Sequence, residues 1–312
     1  MKTIISVSRR TDIPAYYAEW FKKRLEFGYT VYPNPMSTKP VIQSLVPDNV
    51  LAFVFWTRNP KPFFKYLDYI DAKYGKIHYM HFSINGLPEE IELRNPKIDF
   101  AIDSAKYLSD RYGENYVQWR FDPIVLSSLT TEKYIFDKFE YIAKRMEGVV
   151  KRCYFSFVDY YQKTQKNIDI VSKEHNIIFK KPTIEEQIKI TEKLVSIANA
   201  YKIALYACAE DNLLSIAGVS KAHCVDMDLI NNLEGVKKII KSIKPSRIGC
   251  GCYDSRDIGY YDSCPHGCIY CYSNLNPQLA YDNSKRYIKE GFPLDNVQKV
   301  QTESNNLFNI IE

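Results

Sequence analysis

The chain has 312 residues, an apolar share of 46% and a formal net charge of +5. That apolar share is enough to bury a core and argues against a disordered chain, and the lack of any run of eighteen apolar residues argues against a membrane span. The length suits two domains, or one barrel of alternating strands and helices. The opening MKTIISVSRRTDIP turns polar too soon for a signal peptide, so a cytoplasmic setting is expected. Lys and Arg are interleaved with Asp and Glu along the chain, which favours a solvated surface over a nucleic-acid groove.

Short β-branched or aromatic runs alternate with longer amphipathic stretches, the pattern of strands feeding crossover helices. Strands are expected at Thr3–Val7, Leu51–Trp56, Ile77–Ser83, Tyr116–Phe121, Cys153–Val158 and Ile203–Cys208. Helices are expected at Tyr16–Phe27, Pro62–Tyr74, Ile98–Tyr112, Thr131–Met146 and Thr183–Tyr201, with Thr183 as N-cap and Glu186 three residues later. The fold class expected is α/β: a TIM-like partial (βα)6 barrel over residues 1–210. Residues 211–312 read as a cysteine-rich, metal-binding lobe and tail packed on it, rich in Gly, Asp, Ser and Tyr up to about Gln278, with one short helix from about Leu279.

In such a barrel the reactive groups stand just after each strand. Ser8-Arg9-Arg10-Thr11-Asp12 follows the first, Thr57-Arg58-Asn59-Pro60 the second, Asn85-Gly86 the third, Asp122-Pro123 the fourth, Asp159 the fifth and Glu210 the sixth. Arg9, Arg10 and Asp12 are candidate cofactor-binding residues, and Arg120, Asp122 and Glu210 candidate catalytic ones. Paired arginines and the Arg-Phe-Asp-Pro turn could grip an anionic or zwitterionic ligand bidentately, while an Arg120–Asp122 salt bridge accounts for those two residues equally well.

Five of the eight cysteines lie between positions 250 and 271, which in a large cytoplasmic chain suggests a metal rather than disulfides. Cys264, Cys268 and Cys271 in CPHGCIYCY have the spacing C-x3-C-x2-C, and Pro265 and Gly267 allow the chain to wrap a compact core. Three thiolates hold three irons of a [4Fe–4S] cubane and leave the fourth open to a small molecule. Zinc is the competitor, but structural zinc sites take four ligands and commonly use paired C-x2-C knuckles, of which this motif has one.

CPHGCIYCY resembles the cluster-binding motif of radical S-adenosylmethionine enzymes, C-x3-C-x-aromatic-C, with Tyr270 at the aromatic position. The resemblance implies that the open iron binds S-adenosylmethionine, which one electron cleaves to a 5′-deoxyadenosyl radical. An electron donor such as a ferredoxin or flavodoxin is implied with it. FWTRNP and RFDP are similar to strand-end segments of the spore photoproduct lyase branch. In that superfamily the motif follows the first strand, whereas here it follows the sixth predicted one, and no Gly-Gly-Glu run is present. Two accounts are open: a rearranged barrel whose C-terminal lobe folds the cluster back over the mouth, or a cluster with another task. The segments IISVSRRTDIP, FWTRNP and CGCYDSRDIGYYDSCPHGCIYCY also resemble a family catalogued only as a domain of unknown function.

Cys153, inside a strand, reads as a small buried hydrophobe. Cys208, Cys224, Cys250 and Cys252 can make a second four-thiol site for iron–sulfur or zinc, or be ordinary buried thiols; Cys250 or Cys252 can instead close the open iron of the first cluster. His266 is expected to hydrogen-bond or pack near the motif rather than ligate. Tyr253, Tyr260, Tyr261, Tyr270 and Tyr272 can shield a cluster. The functional expectation is an iron–sulfur protein of radical S-adenosylmethionine-like type. The alternative is a non-radical protein whose iron–sulfur or zinc site is structural or transfers electrons.

Overall fold

The computed structural model describes residues 2–34, 37 and 39–295. A mixed α/β fold is built on one sheet of eight strands: β1 Thr3–Val7, β2 Val50–Thr57, β3 His78–Ser83, β4 Val117–Ile124, β5 Arg152–Phe157, β6 Ala204–Ala207, β7 Val219–Lys221 and β8 Arg256–Asp257. All pair in parallel, β1 to β7 neighbour one another in chain order, and β8 lies beside β1. Sequence periodicity predicts six strands and the sheet has eight. The two extra ones, three and two residues long, are too short for a period to register. Both come from the segment after Asp211 and extend the same sheet.

Parallel strands are covered on both faces, so they read as continuous apolar runs. Val50 and the run Ala52 to Phe55 of β2 are fully buried, and one hydrophobic core extends from Ile4 to Phe292. Cys153 is a fully buried member of it, as its place inside a strand implies. Thr183 and Glu186 form the reciprocal capping box: Thr183 Oγ1 accepts from Glu186 N at 3.3 Å, and Glu186 Oε2 accepts from Thr183 N at 3.0 Å. The helix expected over Tyr16–Phe27 is two helices, Ile13–Tyr16 and Ala18–Phe27, because Asp12 caps a short first one with Pro14 in its opening turn. The helix Gln162–His175 is absent from the sequence expectation because it buries only Thr164, Asn167 and Ile168 and shows no apolar stripe. A hairpin of Tyr29–Tyr32 and Val41–Ser44 and a C-terminal helix, Pro277–Glu290, complete the frame. No helix of the described residues is long and apolar enough to cross a membrane.

His78 of β3 is buried between Asp71 Oδ1 and Tyr116 OH, each 2.9 Å from a ring nitrogen. Burial depresses its pKa below the ordinary histidine value although Asp71 pulls the other way. An unfolded histidine takes up a proton near pH 6.5, so this contribution to stability is complete above that pH and is lost as pH falls through it. The melting temperature is therefore expected to drop further between roughly pH 7 and 5 in wild type than in His78→Gln, which removes this group and leaves Glu210 to titrate in the same window. An equal change in the two proteins would contradict the assignment.

Candidate functional site

The carboxyl ends of the strands carry a dense polar layer, and Asp257 of β8 organises its first part. This carboxylate accepts from Ser6 Oγ at 2.7 Å, Ser8 Oγ at 2.6 Å, Arg9 N at 2.7 Å and Gly259 N at 3.1 Å. The Arg9 and Arg10 guanidinium groups lie 3.5 and 3.8 Å from it. Burial raises the Asp257 pKa, but the two arginines outweigh it and hold the carboxyl below its ordinary value. A Cβ on Gly259 would stand 1.9 Å from Ser8 Oγ, so only glycine lets the chain after β8 pass this close to the end of β1. Asp257 and Gly259 were not singled out in the sequence, because their partners are about 250 positions away.

The chain continues from β8 directly into the cysteine motif. His266 Nε2 bonds Asp12 Oδ2 at 2.8 Å, and Asp12 also accepts from Ala15 N at 3.0 Å and Arg58 N at 2.7 Å. Asp12 thus ties the loop after β1, the loop after β2 and the motif together. The loop at 91–95 grips the motif from the other side. Glu92 pairs antiparallel with Cys268, Ile269 N donates to Ile91 O at 3.2 Å, and Arg94 N donates to His266 O at 2.9 Å. Gly267, at φ +78°, lies where a Cβ would be 3.0 Å from Leu93.

Cys264, Cys268 and Cys271 share this pocket within electrostatic reach of one another. Burial pushes the Cys264 thiol well up, the Cys268 thiol up to about 12 and the Cys271 thiol up, against the pull of Arg58 on the last two. Arg58 is itself buried and paired: Nη1 donates to Glu92 Oε1 at 2.8 Å and Nη2 to Tyr270 OH at 2.5 Å, while Tyr270 OH donates to Glu92. Asn85 Nδ2 joins at 2.9 Å from Glu92 Oε1. Tyr270, at the motif's aromatic position, is thereby fixed by residues from β2 and β3 ends. Glu92 was missed in the sequence because it lies inside a loop, seven residues beyond the Asn85 strand-end signal.

The second part of the layer gathers the remaining thiols around Arg120. Arg120 Nε donates to Asp122 Oδ2 at 3.0 Å and Nη1 to Cys224 Sγ at 3.2 Å; Nη2 reaches Cys208 Sγ at 3.9 Å. The Arg120–Asp122 salt bridge forms, and Asp122 also accepts from Ser156 Oγ. Arg120 and Arg9 stand over the Trp56 ring, 5.2 and 5.8 Å from its centroid. Cys208 and Cys224 are 3.6 Å apart, and Cys252 lies within electrostatic reach of Cys224 and Cys250. A hydrogen bond from Cys252 holds the Cys250 thiol down at about 5. Glu210, 2.9 Å from Phe157 N, is pushed up to about 7 by burial. Asp159 is paired with Arg247.

As they stand, no three His, Cys, Asp or Glu side chains among the described residues surround one point in a metal-holding arrangement. A surface hollow of about 580 Å³ lies instead along Tyr160, Gln165, Lys166, Asp169 and Lys173, lined by none of these cysteines.

No curated protein is significantly similar to the chain in sequence. Among solved structures, one described as the IOLI protein with a binding zinc atom aligns over 96% of this chain and 99% of its own, at 10% identity and a TM-score of 0.31, a likeness too slight to carry an argument. A family match spans residues 4–273, from β1 through the whole cysteine motif. The chain belongs to the family described as "Domain of unknown function (DUF1848)".

Proposed function

We propose that the chain is an iron–sulfur enzyme in which Cys264, Cys268 and Cys271 hold a [4Fe–4S] cluster. The eight parallel strands would form the wall of a partial barrel, with chemistry of the radical S-adenosylmethionine type at its mouth. The observation that carries this reading is the pairing of β8 with β1. Although the motif lies late in the chain, that pairing returns it to the loop after the first strand, where Asp12 holds His266. The superfamily it resembles keeps its motif after the first strand, so the rearranged-barrel account is favoured over a cluster with another task.

The donor set fits the group. Three soft thiols lie within electrostatic reach of one another, and they are neutral there until a metal displaces their protons. The buried Arg58 cation offsets part of the charge they acquire. Asn95 Nδ2 lies 3.9 Å from Cys268 Sγ, placed to donate toward that sulfur. When bound, a cluster with one open iron supplies one-electron chemistry on S-adenosylmethionine.

The chain's own residues hold and orient. Arg9, Arg10 and Asp12 act as positioning residues, because their charged groups are spent on Asp257, Arg58 N and His266. Arg120 is fixed by Asp122 and Cys224 over the Trp56 ring. Glu210, titrating near neutrality, can hold or release a proton there. The electron would come from a low-potential carrier such as a ferredoxin or flavodoxin.

The test is anaerobic reconstitution with iron and sulfide, followed by EPR of the reduced protein with and without S-adenosylmethionine. A cluster whose spectrum changes on addition, with cleavage of the added molecule, is the expected result. A cluster indifferent to it leaves the structural or electron-transfer reading, and a chain that takes up no iron removes the proposal altogether.

A further inference from the structure

We propose that Cys208, Cys224, Cys250 and Cys252 form a separate, mononuclear tetrahedral metal site, with zinc as the metal of choice. The inference is independent of the cluster, since it uses none of its three cysteines. The four thiols come from three places: Cys208 ends β6, Cys224 follows β7, and the Cys250-Gly251-Cys252 turn precedes β8. Cys208 Sγ and Cys224 Sγ are 3.6 Å apart, and Cys252 lies within electrostatic reach of both Cys224 and Cys250.

The ends of that string come back together. Gly249, next to Cys250, packs on Ala209, next to Cys208: a Cβ on Gly249, at φ +74°, would be 3.3 Å from the Ala209 backbone. Arg247 Nη2 donates to Cys208 O at 3.4 Å in the same contact. A Cβ on Gly251 would stand 2.8 Å from His223 Nδ1 and 2.9 Å from Ala222 O. Both glycines flanking Cys250 are therefore needed to lay the turn against the other two cysteine-bearing loops. The backbones that carry the four thiols thus meet at the β6, β7 and β8 ends, and gathering the sulfurs on one ion requires Cys208 and Cys250 to turn toward each other across the Gly249–Ala209 contact.

Spacing favours a single ion over a cubane. With zinc–sulfur bonds of about 2.3 Å, two thiolates on one tetrahedral ion are about 3.8 Å apart. The Cys208–Cys224 separation of 3.6 Å matches that edge. In a cubane each thiolate takes a different iron, which sets the sulfurs farther apart. Four thiolates on a divalent ion leave two negative charges, and Arg120 Nη1, 3.2 Å from Cys224 Sγ, donates a charge-assisted hydrogen bond to one of them. Four protein ligands leave no open position, so the site is a clasp joining the β6, β7 and β8 loops under the mouth.

The experiment uses the full chain grown with zinc, and with cobalt in its place. One zinc per chain is expected in addition to any iron, and cobalt should give the strong thiolate charge-transfer band and intense visible absorption of a tetrahedral four-thiolate ion. Cys250→Ser and Cys252→Ser should each lose this metal while keeping the iron of the Cys264 set and an unchanged circular dichroism spectrum. Cys268→Ala should do the reverse, which separates failure of this site from failure of the cluster. Zinc or cobalt retained in both serine variants overturns the proposal. So does a Cys208–Cys224 disulfide in metal-free wild type that takes up neither ion after reduction, or four extra irons with matching sulfide lost together in those variants.

Discussion

Replacing Cys268 by alanine is expected to abolish iron uptake and visible absorbance while leaving the apo fold almost untouched. A cluster held by three thiolates loses a third of its protein attachment when one is removed. The folded apo protein loses only a small buried side chain, a change costing about 1 kcal/mol. The two effects differ enough to be read apart, by iron count on one side and by the thermal melt without metal on the other. Cys264→Ala and Cys271→Ala should behave alike, since both thiols share the same pocket. Cys153→Ala is the control, because Cys153 lies in the core of β5 and should leave the iron count unchanged. Undiminished absorbance in all three motif variants would refute the assignment.

Asp257→Ala should be the most destabilising single change at the carboxyl ends of the strands. Four hydrogen bonds and two guanidinium groups converge on this nearly inaccessible carboxylate, and its removal leaves the half-buried Arg9 and Arg10 without a counter-charge. Breaking a buried pair on one side costs about 3–5 kcal/mol, because the remaining charge is uncompensated. The urea midpoint should fall accordingly, and iron should be bound more weakly because β8 carries the motif to the end of β1. Asp257→Asn keeps the shape but not the charge and should fall between wild type and alanine. Since the Asp257 pKa is held below its ordinary value, its contribution is present above roughly pH 4 and is lost as pH falls below that. An alanine variant within about 1 kcal/mol of wild type would mean that the strand is held by packing alone.

The loss of Glu92 would be felt differently. It would strand Arg58 beside two thiols, so the electrostatic setting of the motif depends on a residue that no motif contains. The same holds for Gly259 and Gly249, whose lack of a side chain matters only because another segment passes within contact distance.

Local order was legible in the residues because it is a short-range property. Apolar runs of five to seven residues marked β1 to β6, and the Thr183–Glu186 pair marked a helix start, since each depends on neighbours a few positions away. The spacing of Cys264, Cys268 and Cys271 likewise singled out one cysteine set, and the doubled cysteine at Cys250 and Cys252 hinted at another. Tertiary structure alone decided where those sets stand. Only the parallel pairing of Arg256–Asp257 with Ile5–Ser6 carries a motif at position 264 to the loop at position 12. Only the glycine-permitted contacts of the 249–252 turn bring Cys250 and Cys252 to Cys208 and Cys224. The sequence by itself determined which residues have metal-binding chemistry and which segments become strands and helices. Which of those thiols share a pocket, and which charges face them, follows from side-chain contacts across up to about 250 positions, whose geometry no local pattern encodes.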